Sequence, residues 1–336
     1  MTSLKRTLFL VFSLILSSGF SLKAQHIELL QQGTPASIRG LSVVDDNVAW
    51  ISGSKGYIAI TTDGGKTWNW QQLKGFEKSD FRDIEAFSAK KAVIMSSGTP
   101  ALILSTEDGG INWKTNYKQT DSTYFLDAMD FDSPQHGFVM GDPIKSKFLL
   151  METNDGGISW KNINGPDAFP NQAAFAASGT CLITNNLLAI TTGGSKAELI
   201  ISSAKNNNWA HHALPIIQGK SAQGSFSVAT EKKRLVIVGG DYQHDKQQDS
   251  TACYSTDRGT TWHLSDRFPA GYQSCVAFIS GHIFLSTGTS GTNITTDGGK
   301  TWTKLDDLSY NVCAKAKHGK MVLLAGDKGK IGVFKF

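Results

Sequence analysis

The chain has 336 residues, of which 40% are apolar, and a net charge of +4. Setting aside residues 1–24, whose only charges are Lys5, Arg6 and Lys23, leaves +1, so the basic footprint that nucleic-acid binding requires is missing. Beyond that leader no segment has the run of apolar residues that a membrane-spanning helix needs.

Residues 1–24 read as a secretory signal peptide. Lys5 and Arg6 precede an apolar stretch over 8–16, small residues follow, and cleavage is expected after Ala24. The apolar core is too short to span a bilayer, and no Cys stands beside the cut to carry a lipid. The expected product is a soluble secreted or periplasmic protein starting near Gln25. Its four cysteines, Cys181, Cys253, Cys275 and Cys313, have neither metal-knuckle nor CxxC spacing. Export permits disulfides, but buried free thiols are the expected state, because Cys is among the most buried residue types.

From residue 25 onward the signals are those of short strands. Residues 27–31 form a strand with no immediate partner. Strands then follow over 38–44, 48–52 and 57–61, split by Asp/Asn/Gly clusters, and a fourth starts at Thr67 and Trp68. The next unit repeats this over 82–87, 92–96, 101–105 and from Trp113. Each unit contains one copy of the pattern Ser/Thr-x-Asp-x-Gly-x-Thr-Trp: 61–68 (TTDGGKTW), 106–113 (TEDGGINW), 153–160 (TNDGGISW), 202–209 (SSAKNNNW), 255–262 (STDRGTTW) and 295–302 (TTDGGKTW). Their period of 40–53 residues is the size of one four-stranded unit.

The pattern reads as a hairpin turn. Asp63, Asp108, Asp155, Asp257 and Asp297 can accept bonds from turn amides, and the glycines supply positive φ. Trp68, Trp113, Trp160, Trp209, Trp262 and Trp302 open the following strand and can pack between sheets, and all but Trp209 are expected to be mostly buried. The copy at 202–209 has lost Asp and Gly but keeps Ser202 and Trp209, which points to the Trp as the part the fold most needs.

After Trp302 come a last outer strand and then strands over 311–316, 321–325 and 331–336, with no further turn motif and no fourth strand. The N-terminal strand 27–31 can complete that sheet, and such closure removes the exposed edges of an open array. The expected fold is all-β: one seven-bladed propeller of four-stranded blades over 25–336, with six box-type turns.

These turns resemble the Asp-box, or BNR, repeats of sialidases, sortilin-type receptors and many secreted propellers. The single-domain layout and the Gln32-Gly33-Thr34-Pro35 entry look most like the photosystem II assembly factor-like group of exported propellers. The resemblance covers nearly all of 25–336 and implies a scaffold; hydrolases and plain binding proteins share it. Nothing in the sequence indicates a photosynthetic host.

Residues peculiar to single blades, on the face opposite the boxes, are the candidates for a site. Alignment of the inner strands puts Arg39 and Arg82 at one blade position at the channel mouth, with Asp83 and Asp127 at neighbouring positions. Loops between second and third strands add Asp142 and Lys145, and an insert over 240–250 adds Asp241, Tyr242 and His244. Mixed charge with a Tyr and a His suits a protein or glycan chain, with rim ion pairs as the competing explanation.

Sialidase chemistry needs three arginines gripping a carboxylate, and after the leader only Arg39, Arg82, Arg234, Arg258 and Arg267 remain. Arg258 lies inside a box, Arg234 in a box-side turn, and the Phe-Arg-Ile-Pro motif is lacking, so sialidase itself is disfavoured. Asp83, Asp127, Asp142 and Asp241 could supply the carboxylate pair of another glycoside hydrolase or lyase, though their spacing does not single out a pair. No HExxH, nucleotide cradle or EF-hand-like carboxylate set is present, so neither metal nor cofactor is expected. The sequence therefore favours a non-enzymatic binding or assembly propeller, expected to be monomeric, with the hydrolase as the alternative.

Overall fold

A computed structural model describes residues 25–184, 187–203 and 208–336. The signal-peptide reading of 1–24 and the degenerate centre of the fourth box, 204–207, lie outside those residues. The described chain forms seven antiparallel sheets in a ring, all-β as expected.

Blade 1 comprises Ile38–Val43, Ala49–Gly53, Tyr57–Thr61 and Asn69–Gln72, and blade 2 Asp80–Ala86, Ala92–Ser97, Ala101–Thr106 and Lys114–Gln119. Blade 3 runs Leu126–Phe131, Gly137–Ile144, Lys147–Thr153 and Lys161–Asn162. Blade 4 is Leu182–Ile183, Ala189–Thr191, Glu198–Ser203 and Asn208–Ala213. Blade 5 is Gln223–Glu231, Arg234–Asp241, Ala252–Ser255 and His263–Leu264, and blade 6 Cys275–Ser280, Ile283–Gly288, Gly291–Thr295 and Thr303–Asp306. Blade 7 takes Val312–Lys315, Val322–Gly326 and Lys330–Lys335 from the C-terminus. His26–Gln31 pairs antiparallel with Lys330–Lys335 and closes the ring.

Middle strands such as Ala92–Ser97 and Ala101–Thr106 are buried along their whole length, because each is covered by a neighbouring blade on both faces. Outermost strands such as Lys114–Gln119 carry only exposed and half-buried residues. The seven inter-blade layers are small apolar clusters of Ile, Val, Leu and Ala, with all four cysteines buried and unbridged among the blades. Among the described residues, no helix is long and apolar enough to cross a membrane.

The box turns show why their residues recur. Thr61 Oγ1 accepts the Gly65 N–H at 2.9 Å and donates to Asp63 at 2.9 Å, while Asp63 takes the Thr67 N–H and hydroxyl at 2.9 and 2.6 Å. Asp108, Asp155, Asp257 and Asp297 repeat this network. Gly110, at φ 84°, lies where a Cβ would press on Trp50 of blade 1. Gly259, also at φ 84°, would press on Leu199 and Ile201 of blade 4. Glycine is needed there twice over, for its dihedral and for close approach to the preceding blade. The Trp indole then returns to its own turn, with Trp68, Trp160 and Trp262 donating to the Gly65, Gly157 and Gly259 carbonyls at 3.2, 3.1 and 3.0 Å. Each box thus fastens its blade to the one before it.

Burial of these tryptophans differs from expectation. Only Trp302 is closed off, at 1% exposure; Trp68, Trp113, Trp160, Trp209 and Trp262 are half-buried. The reason is position: each ring opens an outermost strand, so it packs against the preceding blade on one side and meets solvent on the other. Trp302 is the exception because the chain at Arg267 runs over it, with Arg267 Nε donating to the Trp302 carbonyl at 2.8 Å and the Trp302 N–H returning to the Arg267 carbonyl at 3.0 Å.

Candidate functional site

Four inner strands carry a bulge near their N-terminal end. The unpaired residue is Arg39 between Ile38 and Gly40, Arg82 between Phe81 and Asp83, Asp127 between Leu126 and Ala128, and Phe226 between Ser225 and Ser227. A bulge re-aims the side chain that carries it, and all four line one cavity of about 530 Å³. The rest of its wall comes from hairpin loops between second and third strands (Asp142, Tyr242, Thr289) and from inter-blade connections (Phe125, Phe175, Tyr272). In an antiparallel blade those loops stand at the opposite end from the box turns.

The floor of the cavity is a segment the sequence reading did not single out. Between blades 3 and 4, residues 171–181 enter the channel and plug it. Arg39 Nη1 donates to the Ala177 carbonyl at 3.1 Å and Arg82 Nη1 to the Ala176 carbonyl at 3.2 Å. Ser178 reaches the Ser274 carbonyl of blade 6 at 2.8 Å, and Thr180 meets the Ser227 hydroxyl of blade 5 at 2.6 Å. Phe175 stacks on Phe226 with centroids 3.9 Å apart. Gly179, at φ 71°, rests where a Cβ would overlap the Asp83 carboxyl.

The bulge also sorts the expected site residues. Asp127, not Asp83, occupies the blade position of Arg39 and Arg82. Asp83 lies one residue further along, sealed under the plug, and accepts the Ile84 and Met129 amides at 2.8 and 2.7 Å. Burial pushes the Asp83 carboxyl well above the ordinary range. Asp241 is buried beside the cavity and holds the insert together through Gln223 and His244, both at 3.1 Å; burial would raise it, but these bonds and the Gln243 amide keep it low. His244 is largely exposed, Lys145 sits at an exposed hairpin tip with φ 52°, and neither lines the cavity. Of the nine residues expected at a site, the cavity therefore gathers Arg39, Arg82, Asp127, Asp142 and Tyr242. Phe175, Phe226 and Tyr272 were missed; their T-shaped and stacked contacts join positions far apart in sequence.

Electrostatically the cavity has an acidic side. Asp127 has no exposed surface, and its carboxyl is driven well above the usual range by burial and then by the charge of Asp142, with Arg82 and the Ala176 amide opposing. Asp142 is half-buried, and burial pushes it up to about 6 against the Ala174 amide. Neither oxygen of Asp127, nor Oδ1 of Asp142, has a hydrogen bond of normal geometry. Arg82 is paired with Asp80 at 2.8 Å.

At the box-side mouth a second cavity of about 500 Å³ is lined by Glu85, Phe87, Asp130, Phe131, Asp132 and Lys317 among others. Its charges are satisfied internally. Lys317 bridges Glu85, Ser42 and the Ala86 carbonyl, and Asp130 accepts the Thr184 amide and hydroxyl at 2.7 and 2.9 Å. Two of the remaining arginines serve the scaffold: Arg234 donates to the Gly298 carbonyl of a box turn, and Arg267 to Trp302. Among the described residues no group of three or more metal-ligating side chains converges.

A family model described as photosynthesis system II assembly factor YCF48 matches residues 21–119, and one for the BNR/Asp-box repeat matches 254–264 and 294–304. Similar solved structures include YCF48 bound to a D1 peptide, 15% identical with a TM-score of 0.67 over 94% of this chain and 98% of that one. YCF48 from Cyanidioschyzon merolae is 16% identical with a TM-score of 0.65, over 92% and 98% of the two chains. Virginiamycin B lyase from Staphylococcus aureus is 12% identical with a TM-score of 0.68, over 93% and 100%. No curated protein matches the sequence. At these identities the likeness is one of fold.

Proposed function

The chain is an Asp-box β-propeller resembling the photosystem II assembly factor-like group, and from that premise we propose that it is an exported, monomeric, non-enzymatic propeller that holds a segment of another protein. The segment lies on the face opposite the box turns, in the cavity lined by Arg39, Arg82, Asp127, Asp142 and Tyr242. The observation that carries this reading is the cavity itself: bulged residues from four blades meet there over a plugged channel, so the ring offers a walled pocket where an open pore would let solvent through. Its mixture of aromatic and charged groups suits a peptide, since aromatic and Arg residues are enriched at protein interfaces. A peptide is also what the similar YCF48 structure holds.

The glycoside hydrolase or lyase alternative, and a glycan in place of a peptide, find less support. A glycosidase needs two carboxyls that both reach the sugar. Here Asp127 lines the wall but has no exposed surface and Asp83 is beneath the plug, so of these three only Asp142 has surface to offer a sugar.

The test presents the protein and its Tyr242→Ala variant to a peptide array and a glycan array. The ring of Tyr242 is 49% exposed, so its removal leaves the fold intact. Peptides bound by the parent and lost by the variant support the reading. Glycan binding or turnover favours the alternative, and peptide binding unaffected by Tyr242→Ala moves the site elsewhere.

A further inference from the structure

The charges around the cavity are not all matched. Arg82 is paired with Asp80 at 2.8 Å and spends another N–H on the plug. Arg39 lies in the field of Asp327 and also holds the plug. Asp127 and Asp142 are left over. Beyond the Ala176 and Ala174 amides that approach them, three of their four oxygens make no hydrogen bond of normal geometry, although Asp127 is wholly buried and Asp142 opens on the cavity. Buried polar atoms are almost always paired, so three in one place point to a guest that brings donors.

The facing wall says what kind of guest. Phe226 stacks on Phe175 and meets Tyr272 edge-on at 4.8 Å, and Tyr242 stands edge-on to both Phe226 and Tyr272 at 6.2 and 6.5 Å. Such a wall covers an aliphatic stem and attracts a cation by its ring faces. A bare metal ion would need further ligands, and none converge among the described residues. An anionic guest would face the Asp142 carboxylate.

We infer that the cavity takes the cationic side chain of a lysine or arginine carried by the bound protein segment. The charged head meets Asp142 with Asp127 behind it, and the stem lies across Phe226, Tyr242 and Tyr272. This rests on the protein-binding reading above and names what that pocket selects.

The test uses the full chain and four probes, acetyl-Gly-Gly-Xaa-Gly-Gly-amide with Xaa as lysine, arginine, norleucine or glutamate, each titrated by NMR. The lysine and arginine peptides should bind about tenfold or more tighter than norleucine, the ratio of one well-placed charge contact. Asp142→Asn and Asp127→Asn, nearly isosteric and each checked by a thermal melt, should erase that preference. Tyr242→Ala should weaken both cationic peptides. Norleucine or glutamate binding as tightly as lysine would overturn the cationic guest while leaving a protein-binding pocket in place. A lysine preference that survives both Asn variants would overturn it by placing the cation elsewhere. So would failure of all four probes, whereas loss of the protein-binding reading itself is read from the peptide array.

Discussion

The plug rests on one glycine, and replacing it separates two costs that usually come together. Gly179 and Gly75 both have positive φ, 71° and 86°, but a Cβ on Gly75 meets nothing within 4 Å while one on Gly179 overlaps the Asp83 carboxyl. The left-handed conformation costs an alanine about 1–2 kcal/mol, and reduced freedom of the unfolded chain returns about 0.4–1 kcal/mol. Gly75→Ala should therefore cost only about 0.5–1 kcal/mol. In Gly179→Ala the Asp83 carboxyl must move, and it is held by the Ile84 and Met129 amides. Freeing one buried amide adds about 1–3 kcal/mol, for a total of about 2–4 kcal/mol. Denaturant titration of both variants measures the difference, and limited proteolysis over 171–181 locates it. Equal losses in the two variants, or no new cleavage in the plug of Gly179→Ala, would refute the account of how the channel is closed.

Two other expectations concern the scaffold. Asp142 and Asp130 have folded values near 6, above the unfolded value near 4, so both bind protons more readily when folded and stability should fall as pH rises from about 4 to about 6. Box carboxylates held near 2, Asp63 and Asp257, act oppositely and lose their contribution as pH drops below about 4. Melting temperature should therefore peak at about pH 4 and fall towards about pH 6, a fall that Asp142→Asn or Asp130→Asn should reduce; a rise from about pH 4 to about pH 6 would contradict this. Trp302→Ala should cost about 3–5 kcal/mol, and the half-buried Trp262→Ala clearly less. Denaturation showing Trp262 to be the costlier loss would overturn the burial ranking.

The fold could be read from the chain because its determinants are local. A Thr or Ser hydroxyl, an Asp and a Gly within five residues make five of the six boxes, and the tally of boxes against strands demanded that 27–31 close the last blade. Arg39, Arg82 and Asp127 were legible for a related reason: a repeat makes equivalent positions comparable, and variation at one position stands out. What could not be read is whatever depends on the ring being assembled. The plug sequence around Ala173–Phe175–Gly179 has no period, and residues far away in the chain, among them Arg39, Arg82, Asp83, Ser227 and Ser274, give it a conformation. Phe226 looked like one more apolar strand residue until the bulge turned it to the cavity. The half-exposure of most box tryptophans was hidden likewise, since a turn motif does not reveal how much chain later crosses its outer edge.

The bulges make the rim a set of addresses. Arg39, Arg82, Asp127 and Phe226 stand at one height on separate blades, and each is unpaired in its ladder, so its identity is free of the strand register. Box turns and inter-blade clusters lie elsewhere on the blades. Exchanging these letters would rewrite the chemistry of the pocket and, at Arg39, Arg82 and Phe226, its hold on the plug, while the box turns go on fastening blade to blade, which is how one scaffold could be turned from one guest to another by substitutions rather than by remodelled loops.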